Sequence, residues 1–596
     1  MLSKHSFCGR TVWGANRKFG DEMLIPRKAQ LLLASTLALT MLLPSLGSPI
    51  AMASLGTAVV LDPARKIHPM LQAGAELDPT SLVRVIVQKT KADIKSDSLL
   101  SEIADAQLSE EFKVIPGFVA TLPQSAVSLL ALNPNVRYVS PDGPVDVIPG
   151  KQPKGSKAPA DPKAPKGSHG RRRFDASKLL TTFPVDTGAS TAWSPSAGHA
   201  ATGFGIAVAV IDSGVDSAHP DLNGHVVAVN VNRTSQTPLD GYGHGTHVAG
   251  IITGQDSRDH YLGVAPEATL ISVKVADDNG GAYVSDLLRG LDWIADHRDD
   301  YGIRALNISA SVSIPESYAT SPVDAAVEHL WNDGVAVVTA AGNLGPAQDA
   351  VWYAPGNDPQ VITVGCLDEN LTASPTDDSL CPISSRGLTE DGFAKPDLVA
   401  PGRKIVSTLA SGINGQGVSL ATEFPERITA DRQHIHLSGT SMAAPMVTGA
   451  IALLLERHAN LTPGQLKQLL TVTSRPYPGQ ADGAGALDIT AALASSDHAP
   501  ATSKQVPLAV GGAAPSRNAS TVLWDGARWT TTYWDGARWT SAYWDGARWT
   551  ATYWDGARWT SAYWDGARWT ATTWDGARWT AAAWDGARWT ASALFD

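Results

Sequence analysis

Long apolar runs separated by stretches of helical spacing organise the middle of the chain. Gly205–Ile211 reads as one buried strand, and Val335–Val338 and Val361–Val364 read as two more. Val284–His297, Met442–His458 and Pro463–Leu470 carry apolar residues at helical spacing. Strands that are apolar on both faces, interleaved with helices, predict an α/β domain over 181–495 whose parallel sheet is covered on both sides. In such sheets ligands sit at the carboxyl ends of the strands.

The pattern differs on either side of this domain. Val83–Val87 alternates like a strand, Leu99–Leu108 has helical spacing, and Phe112–Ala120 is a second strand. Gln124–Leu132 is a second helical pattern and Val136–Val139 a third strand, so a small α+β unit is expected over 80–148. Residues 149–180 form a linker rich in Pro, Gly and Lys that includes Arg171-Arg172-Arg173. Such a segment cannot bury a core and is open to proteolysis. A second linker covers 496–519.

Residues 520–596 are repetitive: Trp-Asp-Gly-Ala-Arg-Trp-Thr occurs seven times, starting at Trp524, with a period of ten residues. Asp-Gly favours a two-residue hairpin turn, which predicts a β-hairpin-type array with both tryptophans of a repeat on one face. Arg528 and its equivalents could stack on the rings, and neighbouring repeats would supply the core. Two readings stay open. The rings form a platform for cell-wall or other polysaccharide, or they are consumed as core in a spacer or self-association element.

Composition narrows the function. At 596 residues the chain is too long for one core, and 43% hydrophobic with 18% charged residues is a soluble globular balance. A net charge of −11 argues against nucleic acid as a partner. Arg27 and Lys28, the apolar run Leu31–Leu43 and Ala51-Met52-Ala53 read as a signal peptide over 1–53, with Met23 as an alternative start. The other reading is a membrane anchor, for which the run is short. A secreted, extracellular or cell-surface location follows. Cys8 precedes the predicted cleavage, which leaves Cys366 and Cys381. They either close a disulfide loop worth about 3 kcal/mol or remain two buried thiols.

Three glycine-flanked segments carry candidate chemistry. Ala209–Asp216 puts Asp212 at the end of a buried strand, Gly243–Gly250 puts His244 at a helix start, and Ser438–Pro445 puts Ser441 at the start of an apolar helix. A serine hydroxyl needs a base to take its proton, and the base needs a third group to fix its tautomer. Asp, His and Ser on three elements can fill those roles, in the chain order that subtilisin uses.

These segments resemble the subtilisin-like serine peptidases, or subtilases, over about 185–495. Gly263-Val264-Ala265-Pro266, Lys395–Gly402 and Ala340-Ala341-Gly342-Asn343 extend the resemblance. It implies a subtilisin-like three-layer α/β fold acting on proteins or peptides. Ser441 would be the nucleophile, His244 the base and Asp212 its orienting group. Asn343 and the Ser441 N–H would receive the oxyanion, and Gly342 would help floor the specificity pocket. His247 and Asp216 read as structural. The family's Ser-Leu-Gly-Gly substrate stretch is here Ser309-Ala310-Ser311-Val312, still able to pair with an extended peptide through Ser309, Ala310 and Ser311. No cofactor is required. The loop Gln255–Tyr261 lies where many subtilases hold a structural calcium, and it contains Asp256 and Asp259 in a departing pattern, so metal ligands stay unassigned.

The unit at 80–148 resembles the family's inhibitor-type propeptide, with Val136–Asp142 as its closing strand. The resemblance implies a folding template and intramolecular inhibitor, cut after that strand or near Arg173. The competing reading is a surface- or glycan-binding protein whose peptidase domain serves only maturation. The complete Asp212, His244, Ser441 and Asn343 set favours the peptidase.

Overall fold

The computed structural model describes residues 63–146, 172–194 and 200–495, apart from 223, 416 and 479–482, together with the backbone of seven strands between 528 and 594. The expected signal peptide, residues 149–171 of the first linker and the whole second linker lie outside the described residues. Among the described residues no helix is long and apolar enough to cross a membrane.

Seven parallel strands build the main sheet: β1 (Ala207–Asp212), β2 (Val226–Asn230), β3 (Thr269–Lys274), β4 (Ile303–Ile308), β5 (Ala336–Ala340), β6 (Ile362–Asp368) and β7 (Leu398–Pro401). Across the sheet they run β2-β3-β1-β4-β5-β6, with β7 beside β6 and the short Ser379–Leu380 antiparallel to it. From β1 the chain goes to the edge strand β2, returns through β3 beside β1, and then crosses to β4 on the other side. The carboxyl end of β1 is therefore a topological switch, where open parallel sheets place ligands.

Four helices bear on this sheet: α1 (His244–Thr253), α2 (Val284–Tyr301), α3 (Pro322–Asn332) and α4 (Thr440–Arg457). α1 packs with α4, and α2 with α3, giving two helical layers around the sheet. β1 has no solvent-facing side, and Val208, Ala209, Val210 and Ile211 are all buried. α4 is buried from Thr440 through Leu455, which explains why its sequence lacks a polar stripe. Cys366 and Cys381 are joined as a disulfide.

Residues 63–146 form a four-stranded antiparallel sheet in the order Gln107–Phe112, Gly117–Pro123, Leu82–Lys89, Val136–Pro141. The helix expected over Leu99–Leu108 is shorter, Ser96–Leu100. Leu99, Leu100 and Ile103 reach the core, whereas Leu108 is exposed and belongs to a strand that pairs with Gly117–Pro123. Its inner strands are buried on both faces, whereas Gln107–Phe112 at the edge is largely exposed. Val85 and Val87 join the unit's own core, and Ile86 and Val119 join the core of the large domain.

The seven strands of the repeats, from Arg528–Asp535 to Arg588–Leu594, do not form hairpins. Each pairs in parallel with the strand two repeats on, so that Trp529 stands opposite Trp549 and Tyr533 opposite Tyr553. Alternate strands thus make two sheets, one of four strands and one of three. An Asp-Gly hairpin would pair only a few residues on each side of the turn. Pairing each strand with its own repeat keeps one register along all of it.

Candidate active site

β1 and α1 deliver the first pair. Asp212 closes β1, and His244 opens α1 behind Gly243, which has φ 107. The Nδ1 of His244 lies 2.8 and 2.9 Å from the two carboxylate oxygens of Asp212, and both side chains are fully buried. Because a carboxylate only accepts, Nδ1 carries the hydrogen and Nε2 is left as the acceptor. Nε2 has no hydrogen-bond partner. Only glycine fits at 245, since a Cβ there would stand 2.2 Å from the Gly214 carbonyl oxygen.

The start of α1 is held by Asp240, which the sequence reading overlooked. Its buried carboxylate accepts from the N–H groups of Gly243 (2.6 Å) and Thr246 (2.8 Å), and from the hydroxyls of Ser213 (2.9 Å) and Thr246 (2.7 Å). It thus caps a helix whose first residue is His244. The fully buried Lys274 binds the carbonyls of Ser213 and Leu239 and the Asp278 carboxylate, bracing the turn after Asp212. An acidic residue just ahead of a predicted helix was a usable signal for Asp240. Lys274 gave none.

Two histidines on α1 differ in charge preference. Burial works against a charged His244, but Asp212, by charge and hydrogen bond, and Asp240 more than offset it, and its pKa is raised. His247 is equally buried and its Nε2 meets only the carbonyls of Ile405 and Ile435. Burial, with the neighbouring His244 charge, pushes it down to about 3. His247 is a structural residue.

Ser441 lies at the second position of α4 and is 8% exposed. Its hydroxyl donates to the Ser309 carbonyl at 3.4 Å, and the Ser309 hydroxyl in turn donates to the Ser441 carbonyl at 2.9 Å. That second bond has a cause in the sequence. Pro445, one turn on, has no N–H to give the Ser441 carbonyl, and Ser309 satisfies it instead. Asn343 turns its Oδ1 to the N–H of Thr440 (3.0 Å), which leaves its NH2 group directed away from that bond. The N–H of Gly342 donates to the Thr440 hydroxyl at 3.1 Å.

The expected peptide-pairing edge is engaged at its Ser311 end. Ser311–Val312 pairs antiparallel with Pro144–Asp146, with Ser311 opposite Asp146, whereas Ser309 faces Ser441 and Ala310 is buried. Gly281–Tyr283 pairs with the other side of Pro144–Asp146 and completes a three-stranded sheet. Nothing in its composition marked that second edge.

The loop Gln255–Tyr261 does not fit calcium as it stands. Each Asp256 carboxylate oxygen accepts one loop N–H, from Arg258 (3.2 Å) and His260 (3.1 Å), and Arg172 already takes up Asp259 and the carbonyls of Asp256 and Ser257. Among the described residues no group of three or more His, Cys, Asp or Glu converges as metal ligands do.

Comparison with known proteins gives concordant matches. The model of the subtilase family matches residues 203–505. Serine protease AprX of Bacillus subtilis (strain 168) is 38% identical over 282 residues, covering 46% of this chain and 62% of AprX. Subtilisin E of the same organism is 31% identical over 406 residues, covering 67% of this chain and 86% of its own. Among solved structures, fervidolysin from Fervidobacterium pennivorans, described as a keratinolytic enzyme related to subtilisin, aligns with a TM-score of 0.50 at 25% identity. That alignment covers 70% of this chain and 61% of fervidolysin, so the chain spans about three fifths of both AprX and fervidolysin.

Proposed function

Because the chain belongs to the subtilase family, we propose that it is an exported serine endopeptidase, made as a precursor that residues 63–146 hold inactive. The observation that carries this reading is His244, locked on Asp212 through Nδ1 with Nε2 free to take a proton.

In the proposed reaction the Ser441 hydroxyl turns from the Ser309 carbonyl to His244 Nε2 and gives up its proton as Oγ attacks the peptide carbonyl. Asp212 stabilises the imidazolium and keeps its tautomer. The oxyanion receives the Asn343 NH2 and the Ser441 N–H, which is unpaired within the helix because it belongs to the first turn of α4. His244 then returns the proton to the leaving amine, and water repeats the sequence on the acyl-enzyme.

The precursor reading is supported by Pro144–Asp146, laid as a third strand between Gly281–Tyr283 and Ser311–Val312. The Gly143 and Pro144 carbonyls also accept from Val284 N (2.9 Å) and Ser313 N (2.9 Å). An extended peptide substrate would use the same two edges once this segment leaves.

The decisive experiment follows processing of the full chain and its hydrolysis of a denatured protein, with and without Ser441→Ala. Hydrolysis is expected to fall by a factor on the order of 10⁶, the loss such a change causes in subtilisin. Continued hydrolysis by purified Ser441→Ala protein would sink the mechanism. Asn343→Ala is expected to lower kcat by roughly 10²–10³. Deletion of 520–596 is expected to leave hydrolysis of short peptides unchanged.

A further inference from the structure

We infer that Arg172, in the last part of the basic linker, supplies the loop Gln255–Tyr261 with a built-in cation in place of a metal, and that maturation leaves Arg172 on the enzyme. One guanidinium nitrogen, Nη2, sits where three oxygens converge. It is 3.0 Å from the Asp256 carbonyl, 3.3 Å from the Ser257 carbonyl, and ion-paired with Asp259 Oδ1. Asp259 is held at φ 63, a left-handed conformation uncommon outside glycine, so the backbone bends sharply at this point.

This arm of the linker is anchored by more than this contact. The Arg172 N–H donates to Glu267 Oε1 at 2.8 Å, and Glu267 Oε2 is itself held by the Thr202 hydroxyl at 2.6 Å. Asp175 N–H reaches Asp259 Oδ2 at 3.3 Å, and Leu180 N–H reaches the His260 carbonyl at 2.9 Å. The guanidinium also lies 5.2 Å from the ring centre of Phe174, which packs beside Trp193.

The chemistry favours arginine over an ion at this point. Calcium takes six to eight oxygens, roughly twice the three that converge on Nη2 here. A tethered guanidinium is present at high effective concentration and cannot be removed by a chelator. It also makes the arm part of the large domain, so a cut beyond Arg172 would remove the cation.

The test uses the full chain carrying Ser441→Ala, which prevents self-digestion, and reads thermal unfolding, so it does not depend on activity. A chelator is expected to move Tm by less than about 2 °C, whereas adding Arg172→Ala lowers it by roughly 3–6 °C. Asp259→Asn on top of Arg172→Ala should lower it no further, because both break one interaction. Arg172→Lys, which keeps the charge with fewer donors, should recover part of the loss. Mass spectrometry of the enzyme matured from the unaltered chain should find an N-terminus at Arg172 or upstream. The inference is overturned by a start at residue 173 or later, by additive effects of the two changes, or by a large chelator-induced drop that Asp259→Asn abolishes.

Discussion

The surface between residues 63–146 and the peptidase domain holds carboxyl groups in opposite ways at its two ends. Near α2, Glu110 binds Arg289 through both oxygens (2.7 Å each) and also meets Arg233 at 3.0 Å. Asp142 pairs with Arg84 (2.7 Å) and caps α2 at Ser285, and Asp292 accepts the N–H groups of Lys113 (2.7 Å) and Val114 (2.6 Å). At the other end Glu316 receives the Ser140 hydroxyl at 2.8 Å and has no ion-pair partner among the described residues. Burial pushes its pKa to about 8, against the pull of the Ser140 and Thr320 hydroxyls and with help from Glu390. The first end is held through ion pairs and backbone N–H groups, which oppose the upward push of burial on the pKa of Asp142 and Asp292; the second is held by a carboxyl that prefers its proton. One end fixes where the segment sits; the other makes its grip depend on pH.

Breaking the charged end should have the largest effect. Glu110→Ala removes the bidentate partner of Arg289, and losing one member of such an interfacial pair costs about 2 kcal/mol or more, roughly 30-fold in release rate. The lag between precursor cleavage and full activity should shorten by about that factor near neutral pH. A variant with an unchanged lag would show that these pairs only decorate the interface.

The uncharged end should give a smaller effect with a distinct signature. A carboxyl whose pKa is raised in the complex favours the complex fully below its ordinary value near 4.5, and loses that contribution as pH rises through about 8. The lag should therefore shorten by roughly tenfold between pH 6 and 9, a figure reduced because Glu316 is only partly enclosed. Glu316→Gln should hold the lag long and flat over that range, and Glu110→Ala should keep the slope. A slope surviving in Glu316→Gln would assign it to another group.

What was legible in the sequence follows the same division between local and long-range causes. β1, β5, β6 and α4 could be read because burial on every side leaves a continuous apolar run, and the segments around Asp212, His244 and Ser441 announced themselves by their glycines. Asp240 and Lys274 are single polar residues whose partners are set by the folded chain, and Gly281–Tyr283 becomes an edge only when β1 through β4 assemble. The Leu99–Leu108 reading took apolar spacing for helix where Leu108 enters a strand. The Asp-Gly pairs of the repeats favour a hairpin locally, whereas the strands pair with strands twenty residues apart.

His68 supplies the finest test, because it titrates in the opposite sense at the same end. Its Nδ1 accepts the Met70 N–H at 3.2 Å, so its Nε2 carries the hydrogen given to the Pro315 carbonyl at 3.1 Å, and neither nitrogen has room for a further proton. Burial lowers its pKa, partly offset by the Pro315 bond. A depressed base supports the complex above its ordinary value near 6.5 and loses that support as pH falls through the lowered one. Below about 6.5 this loss opposes the gain from protonating Glu316, so the lag of the unaltered enzyme should level off there. His68→Asn keeps an oxygen to cap the helix beginning at Pro69 but cannot titrate. Its lag should go on lengthening by about threefold from pH 6.5 to 5. Levelling in both proteins would remove His68 from the balance and assign the opposing proton to another group.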